Sequence, residues 1–156
     1  ALVFIGDGPS RPLLEEEGRA PEGVQLLGFL QPPEVAELFA SSDLFVLPSR
    51  YETWGAVATE AAAAGLPVIV SERVGSGPDL LAEGEFGERV PVDDVEALAE
   101  AIERWMERPD RRGALADRAR SRAIAWGNDL NLRSLAAAMK QARPELSDEA
   151  LEAAGV

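Results

Sequence analysis

Asp43-Leu-Phe-Val-Leu-Pro-Ser-Arg-Tyr-Glu-Thr-Trp-Gly-Ala-Val-Ala-Thr-Glu-Ala-Ala-Ala-Ala-Gly-Leu-Pro-Val-Ile-Val70 runs from one apolar segment to the next through a polar turn and a small-residue stretch. The first segment, Asp43 to Leu47, is apolar at successive positions, which predicts a parallel strand covered on both faces. Pro48 to Thr53 predicts a loop. A helix is predicted from about Trp54 to Ala64, and its closing run of alanines lets it lie close against a sheet. Gly65 followed by Pro67 predicts its end, by a left-handed cap and a proline stop. Pro67 to Val70 is a second strand, so the stretch is one βαβ unit.

Outward from this unit the same alternation continues. Ala1 to Ile5 predicts a buried strand closed by Gly6-Asp-Gly-Pro9, Ser10 to Glu17 a helix, and Val24 to Leu27 a strand closed by Gly28. Pro32 to Ala40 predicts a helix that opens on prolines, which suit a first turn. After Val70 come a turn over Gly75-Ser-Gly-Pro-Asp79, a short strand from Glu88 to Val92, and helices over Val95–Glu107, Arg111–Trp126 and Leu130–Ala142. A weak helical tail follows Pro144. The fold class is therefore α/β, a Rossmann-like parallel sheet flanked by helices, with a partial domain over 1–143 and a helical tail over 144–156.

In open α/β sheets ligands bind outside the carboxyl ends of the strands, where helix N-termini offer unpaired N–H groups. The loops at that edge are Gly6 to Pro9, Pro48 to Thr53 and Ser71 to Asp79. The first does not make a dinucleotide fingerprint, because Arg11 stands where the third glycine is needed and Pro9 alters the turn. In the second, Glu52 precedes the helix, Gly55 lies in its first turn, and Glu60 lies on the order of 8 Å along it at 1.5 Å per residue. Amides near Trp54 to Ala56 suit a diphosphate, Glu60 suits two ribose hydroxyls, and Glu52 suits a sugar beyond the phosphates. Taken singly, Glu52 also fits a first-turn acid favoured by the helix dipole, and Glu60 a solvated helix residue.

The ordered set is more specific than its parts. Pro48 to Val68, with Gly6-Asp-Gly-Pro9, Val24-Gln-Leu-Leu-Gly-Phe-Leu30, Ser42 to Ser49, Gly75-Ser-Gly-Pro-Asp-Leu80 and Gly87-Glu-Arg-Val-Pro91, resembles the E-x7-E region of retaining GT-B glycosyltransferases of family 4, the group 1 family. The resemblance spans about residues 2 to 108. It implies the carboxyl-terminal, donor-binding half of a two-domain enzyme that moves a sugar from a nucleotide diphosphate to an acceptor. By it, Glu52 contacts the donor sugar and Glu60 the ribose. The amides of Thr53, Trp54, Gly55 and Ala56, with the Gly6 and Gly8 loop, hold sugar hydroxyls and phosphate, and Gly28, Phe29 and Leu30 lie beside the base. No metal and no further cofactor is implied, and Asp93-Asp94 is read as a helix N-cap.

The sequence also departs from that pattern. The first strand of the family's half-domain, with its Gly-Arg and Lys-Gly cations, and the acceptor domain would both lie before Ala1. Within the family sheet that strand separates the segments Ala1–Ile5 and Asp43–Leu47, so these two are expected either to pair directly or to leave a gap. Arg50 and Arg73 are the nearest cations, each with the look of a surface side chain, and Asp79 stands where glutamate is frequent. The chain alone is accordingly expected to be inactive.

Composition narrows the chemistry further. The 156 residues carry a formal charge of −13 and contain no histidine and no cysteine. That excludes thiol or histidine catalysis and the usual zinc ligand sets. It argues against a nucleic-acid partner, since Arg111, Arg112, Arg118, Arg120 and Arg122 alternate with acids and alanines as on a solvated helix face. No apolar run reaches the roughly 20 residues of a membrane span. A cytoplasmic location is expected, with peripheral membrane association through the missing half left open. The rival readings are a GT-B nucleotide-sugar epimerase, which normally uses cleft histidines, and a non-catalytic binding module or inactive fragment.

Overall fold

The computed structural model describes residues 1–16, 23–82, 86–108, 113–126 and 141. It divides into two compact units, Ala1–Ser41 and Ser42–Val156. Both are built from parallel strands followed by helices, as the alternating pattern predicts.

In the first unit β1 (Leu2–Ile5) and β2 (Val24–Gly28) form a two-stranded parallel sheet with α1 (Arg11–Glu16) between them in the chain, and α2 (Pro32–Ser41) follows. The register pairs Leu2 with Val24 and Phe4 with Leu26, then shifts at Ile5, which faces Gly28. The expectation of a buried first strand is corrected. Leu2, Phe4 and Ile5 are exposed, because a two-stranded ribbon has too little sheet to cover both faces of an apolar strand.

In the second unit β3 (Phe45–Leu47), β4 (Val68–Ser71) and β5 (Gly87–Val90) form a parallel sheet with β4 in the centre. The registers Phe45↔Val68 and Val68↔Gly87 align all three. Val68, Ile69 and Val70 have no accessible surface, which makes β4 the axis of the core. Burying each such side chain is worth ~1.5–3 kcal/mol relative to exposure. β3 is shorter than expected, since Asp43 and Leu44 precede the ladder, and its residues are half-buried, as an edge strand's are. β1 belongs to the two-stranded sheet and β3 to the three-stranded one.

α3 (Ala56–Ala63) connects β3 to β4, α4 (Gly77–Leu80) and β5 follow, and α5 (Val95–Met106) and α6 (Ala114–Ala125) complete the described helices. α3 ends as expected: Leu66 N–H donates to the Ala61 carbonyl and Gly65 N–H to that of Ala62, with Gly65 at φ 90, the Schellman arrangement. Ala58, Ala61 and Ala62 of α3 are buried, as are Leu115, Ala116, Ala119 and Ala123 of α6, and the two helices pack together. Asp94 caps α5 by accepting from the Ala97 N–H at 2.9 Å, and Trp105 is buried in the core.

Three further expectations are corrected. α3 starts at Ala56 rather than Trp54, because Gly55 is left-handed and only from Ala56 is the backbone helical. The turn predicted over Gly75–Asp79 contains α4, opened by Pro78 in its first turn. The arginine face of α6 is not simply solvated: Arg120 donates to the Ala64 carbonyl at 3.1 Å and Arg122 to the Asp79 carbonyl at 2.6 Å, tying α6 to the ends of α3 and α4. Arg111, Arg112, the helix expected over Leu130–Ala142 (Gln141 apart) and the tail over 144–156 lie outside the described residues.

Candidate functional site

β3 and β4 run parallel, so the segments that leave them emerge at the same edge of the sheet. The two segments are bonded to each other. Glu52 and Val74 form an isolated parallel bridge. The Glu52 N–H donates to the Arg73 carbonyl at 3.3 Å, the Gly75 N–H to the Glu52 carbonyl at 3.0 Å, and the Ser76 N–H to the Trp54 carbonyl at 2.8 Å. Gly75 has no side chain because the Thr53 carbonyl occupies the place where a Cβ would stand. Underneath, the buried Ser71 hydroxyl donates to the Ser49 carbonyl and accepts from the Arg73 N–H, joining the bases of the two loops.

This clamp sets the start of α3. Gly55 is its N-cap residue, at φ 81 and ψ 50 with no side-chain cap of its own. The missing cap is supplied from Glu52, whose Oε1 accepts from the Trp54 N–H and the Gly55 N–H, each at 3.2 Å. A carboxylate in that place satisfies the N–H of the N-cap residue and of the residue before it, and sits at the positive end of the dipole. Glu52 is half-buried, and among the described residues its Oε2 meets no donor. The next two amides, of Ala56 and Val57, have no acceptor among the described residues. The arrangement presents one fixed acceptor oxygen beside two open N–H donors, which suits a ligand carrying both hydroxyls and an anion.

Of the other residues singled out from the sequence, Thr53 and Trp54 lie on this loop and are exposed, and Ala56 opens the helix. Glu60 lies on the same helix, one turn beyond Ala56, and is exposed to solvent without a side-chain partner among the described residues. Arg50 is committed elsewhere: its Nε donates to Asp93 Oδ1 at 2.8 Å, which raises the guanidinium above its ordinary value. Arg73 is exposed. Thr59 Oγ1 and Ser76 Oγ are buried without a partner among the described residues. Among the described residues no group of three or more acids is placed to hold a metal ion.

In the first unit, Gly6 and Gly28 are brought together, the Gly6 N–H donating to the Gly28 carbonyl at 2.7 Å. Arg11 N–H donates to the Gly8 carbonyl at 3.0 Å, and its guanidinium lies over Gly28, close enough to leave no room for a Cβ there. Arg11 also binds Glu15 at 2.7 Å, with Asp7 at 4.0 Å, which holds the guanidinium above its ordinary value. A Cβ at Gly8 would meet nothing within 4 Å, Phe29 is 72% exposed, and Leu30 is half-buried.

Sequence spacing missed two features of the loop. Val74 reaches back toward Gly55, its Cγ1 only 2.7 Å from where a Cβ would lie. Trp126, at the end of α6, stacks on Trp54 with ring centroids 5.5 Å apart and planes 12° from parallel. No local periodicity relates such distant positions. The tryptophans themselves, large rings at the loop and at a helix end, were the available signal.

Residues 1–122 match the family model described as glycosyl transferases group 1. A GDP-mannose-dependent alpha-mannosyltransferase of Corynebacterium glutamicum is 37% identical over 105 residues, 67% of this chain and 24% of that protein. A glycogen synthase of Mycobacterium tuberculosis is 32% identical over 143 residues, 90% of this chain and 34% of that protein. Among solved structures, a sucrose-phosphate synthase of Thermosynechococcus elongatus superposes with a TM-score of 0.70 at 30% identity, covering 92% of this chain and 38% of the other. The chain therefore spans about a quarter to two fifths of the length of these relatives. No helix among the described residues is long and apolar enough to cross a membrane.

Proposed function

The chain belongs to the glycosyl transferases group 1 family, and from that premise we propose that it forms the donor side of a nucleotide-sugar-dependent glycosyltransferase of the retaining, family 4 kind. The observation that carries this reading is Glu52, docked through one oxygen on two amides with its other oxygen open, beside the unclaimed amides of α3. Ala56 and Val57 N–H groups take a phosphate oxygen of the diphosphate. Glu52 Oε2 accepts from a hydroxyl of the donor sugar, and Glu60 accepts from the ribose.

Each part follows from charge and geometry. Helix-start amides favour an anion and are already oriented, so they stabilise the diphosphate as it departs without reorganisation. The two amides on Oε1 spread the Glu52 charge, which lessens its repulsion of the diphosphate while leaving Oε2 an acceptor. Glycosyl transfer with retention develops positive charge at the anomeric carbon, and a carboxylate near the donor sugar complements it. Departure of the diphosphate is handled by amides and by cations from outside the chain, with no metal required. The acceptor side belongs to sequence beyond this chain, of the kind that makes the relatives longer.

The test is calorimetric titration of the chain with uridine and guanosine diphosphate sugars. Binding of at least one of them is expected. Absence of heat with both at millimolar ligand overturns the reading for this chain.

A further inference from the structure

We infer that Trp126 is a positioning residue for Glu52: by stacking on Trp54 it steadies the amide that holds the carboxylate, and through it the discrimination of the donor sugar. The inference rests on the donor-site reading for its consequence but on the structure for its geometry.

Trp54 is the joint through which three parts of the second unit meet. Its N–H donates to Glu52 Oε1 at 3.2 Å and its carbonyl accepts from the Ser76 N–H at 2.8 Å, so its backbone is bonded to the carboxylate on one side and to the loop after β4 on the other. Its side chain has half its surface in solvent, and the ring contact that restrains it is the stack on Trp126. The near-parallel planes, 12° apart, oppose rotation of the Trp54 ring out of the stack.

Trp126 is itself well placed to act as an anchor. It is the C-cap of α6, and its N–H donates to the Arg122 carbonyl at 3.1 Å. α6 is fastened to α3 by buried alanines and by Arg120 on the Ala64 carbonyl, and to α4 by Arg122 on the Asp79 carbonyl. A rigid helix therefore holds one ring, that ring holds the next, and the second ring's own peptide unit carries a donor for Glu52. Without the stack, Trp54 keeps its carbonyl bond to Ser76 but loses the restraint on the side-chain end that keeps its N–H on Glu52. The Glu52 carboxylate is then held at Gly55 alone whenever the Trp54 peptide turns.

The experiment compares Trp126→Phe, Trp126→Leu and Trp126→Ala in the intact chain, titrated with uridine and guanosine diphosphates and with their glucose and mannose conjugates. The ratio of sugar-nucleotide affinity to nucleoside-diphosphate affinity is expected to fall about fivefold in Trp126→Leu and Trp126→Ala, the equivalent of one aromatic pair, and to return in Trp126→Phe. Nucleoside-diphosphate affinity stays within twofold of the parent. Equal loss of both affinities, or an unchanged ratio, overturns the inference. If Trp126→Ala unfolds, Trp126→Leu decides alone. If the parent binds none of these compounds, the donor-site reading fails separately, and amide resonances decide the positioning role. In the parent, Glu52→Gln shifts the Trp54 and Gly55 amides. In the Trp126→Leu background the Trp54 shift is expected to vanish, and its persistence overturns the inference.

Discussion

Gly75 presses its bare α-carbon against the Thr53 carbonyl, so that a methyl group on it would overlap the oxygen and lie 2.9 Å from the carbonyl carbon. Two backbones cannot yield as a side-chain tip can. Gly75→Ala is therefore expected to cost about 3 kcal/mol, the upper end of overpacking, and to separate the loops after β3 and β4. Denaturant unfolding measures it, with Gly8→Ala as the control: a Cβ at Gly8 meets nothing within 4 Å, and its midpoint should not move.

Gly55 presents a different obstacle, since its φ of 81 is strained for any residue with a Cβ and the nearest neighbour is a side-chain methyl, Val74 Cγ1 at 2.7 Å. Gly55→Ala should cost about 1–2 kcal/mol for the left-handed conformation, with a steric contribution on top. Val74→Ala removes the steric part only. The double variant Gly55→Ala/Val74→Ala is expected to be less destabilised than the sum of the single changes, the excess in the sum measuring the contact. Strict additivity of the unfolding free energies would show that Val74 moves aside unaided.

The elements of the second unit were legible because periodicity and punctuation agree there. Val68–Val70 is a continuous apolar run between Pro67 and a polar loop, and Gly65 fits a helix end whatever the tertiary context. The same signals failed at Leu2, Phe4 and Ile5, because an apolar run states that a strand can be covered, not that its neighbours suffice to cover it. At the site, the spacing of Glu52, Gly55 and Glu60 located the loop and the helix. It did not reveal that Glu52 turns back onto Trp54 and Gly55, which depends on Gly55 being left-handed. Nor did it reveal the stack of Trp54 on Trp126, which no local pattern encodes.

Ser76 is fully buried and its hydroxyl has no partner among the described residues, even though it stands at the cap of α4, where serine ordinarily bonds a helix amide. A buried hydroxyl that makes no bond is a net cost of roughly 1–3 kcal/mol. Ser76→Ala should accordingly raise the melting temperature rather than lower it, with the fold unchanged. A fall in melting temperature would reveal a partner for that hydroxyl.

The exposed pair Arg50–Asp93 links the loop after β3 to the turn before α5. Its hydrogen bond and the Asp93 charge raise the Arg50 guanidinium above its ordinary value. A cation whose value is higher in the folded state contributes fully below the unfolded value, and that contribution is lost only as pH rises through the folded one. The window lies far into alkali, so the pair makes no pH-dependent contribution to stability between pH 5 and 9. Solvent and salt screen a pair this open. Arg50→Ala is expected to leave both the melting temperature and its dependence on pH unchanged across that range, as thermal scans at successive pH values would register.

Glu60 and Glu52 should separate nucleotide affinity from sugar discrimination. Glu60 is exposed and unpaired among the described residues, so Glu60→Ala removes only what a ligand would use. Two hydroxyls donating to a carboxylate lead to an expected loss of about tenfold or more in nucleoside-diphosphate affinity. Glu52→Ala acts in the opposite sense on the same ligand. It takes a negative charge away from the diphosphate and uncovers the Trp54 and Gly55 amides, so nucleoside-diphosphate affinity is expected to hold or rise while the added affinity of the sugar disappears. Calorimetry with uridine diphosphate and its glucose conjugate reads both. Equal losses of nucleoside-diphosphate affinity in the two variants would count against the assigned roles, because a single shared contribution to anion binding would then account for both carboxylates.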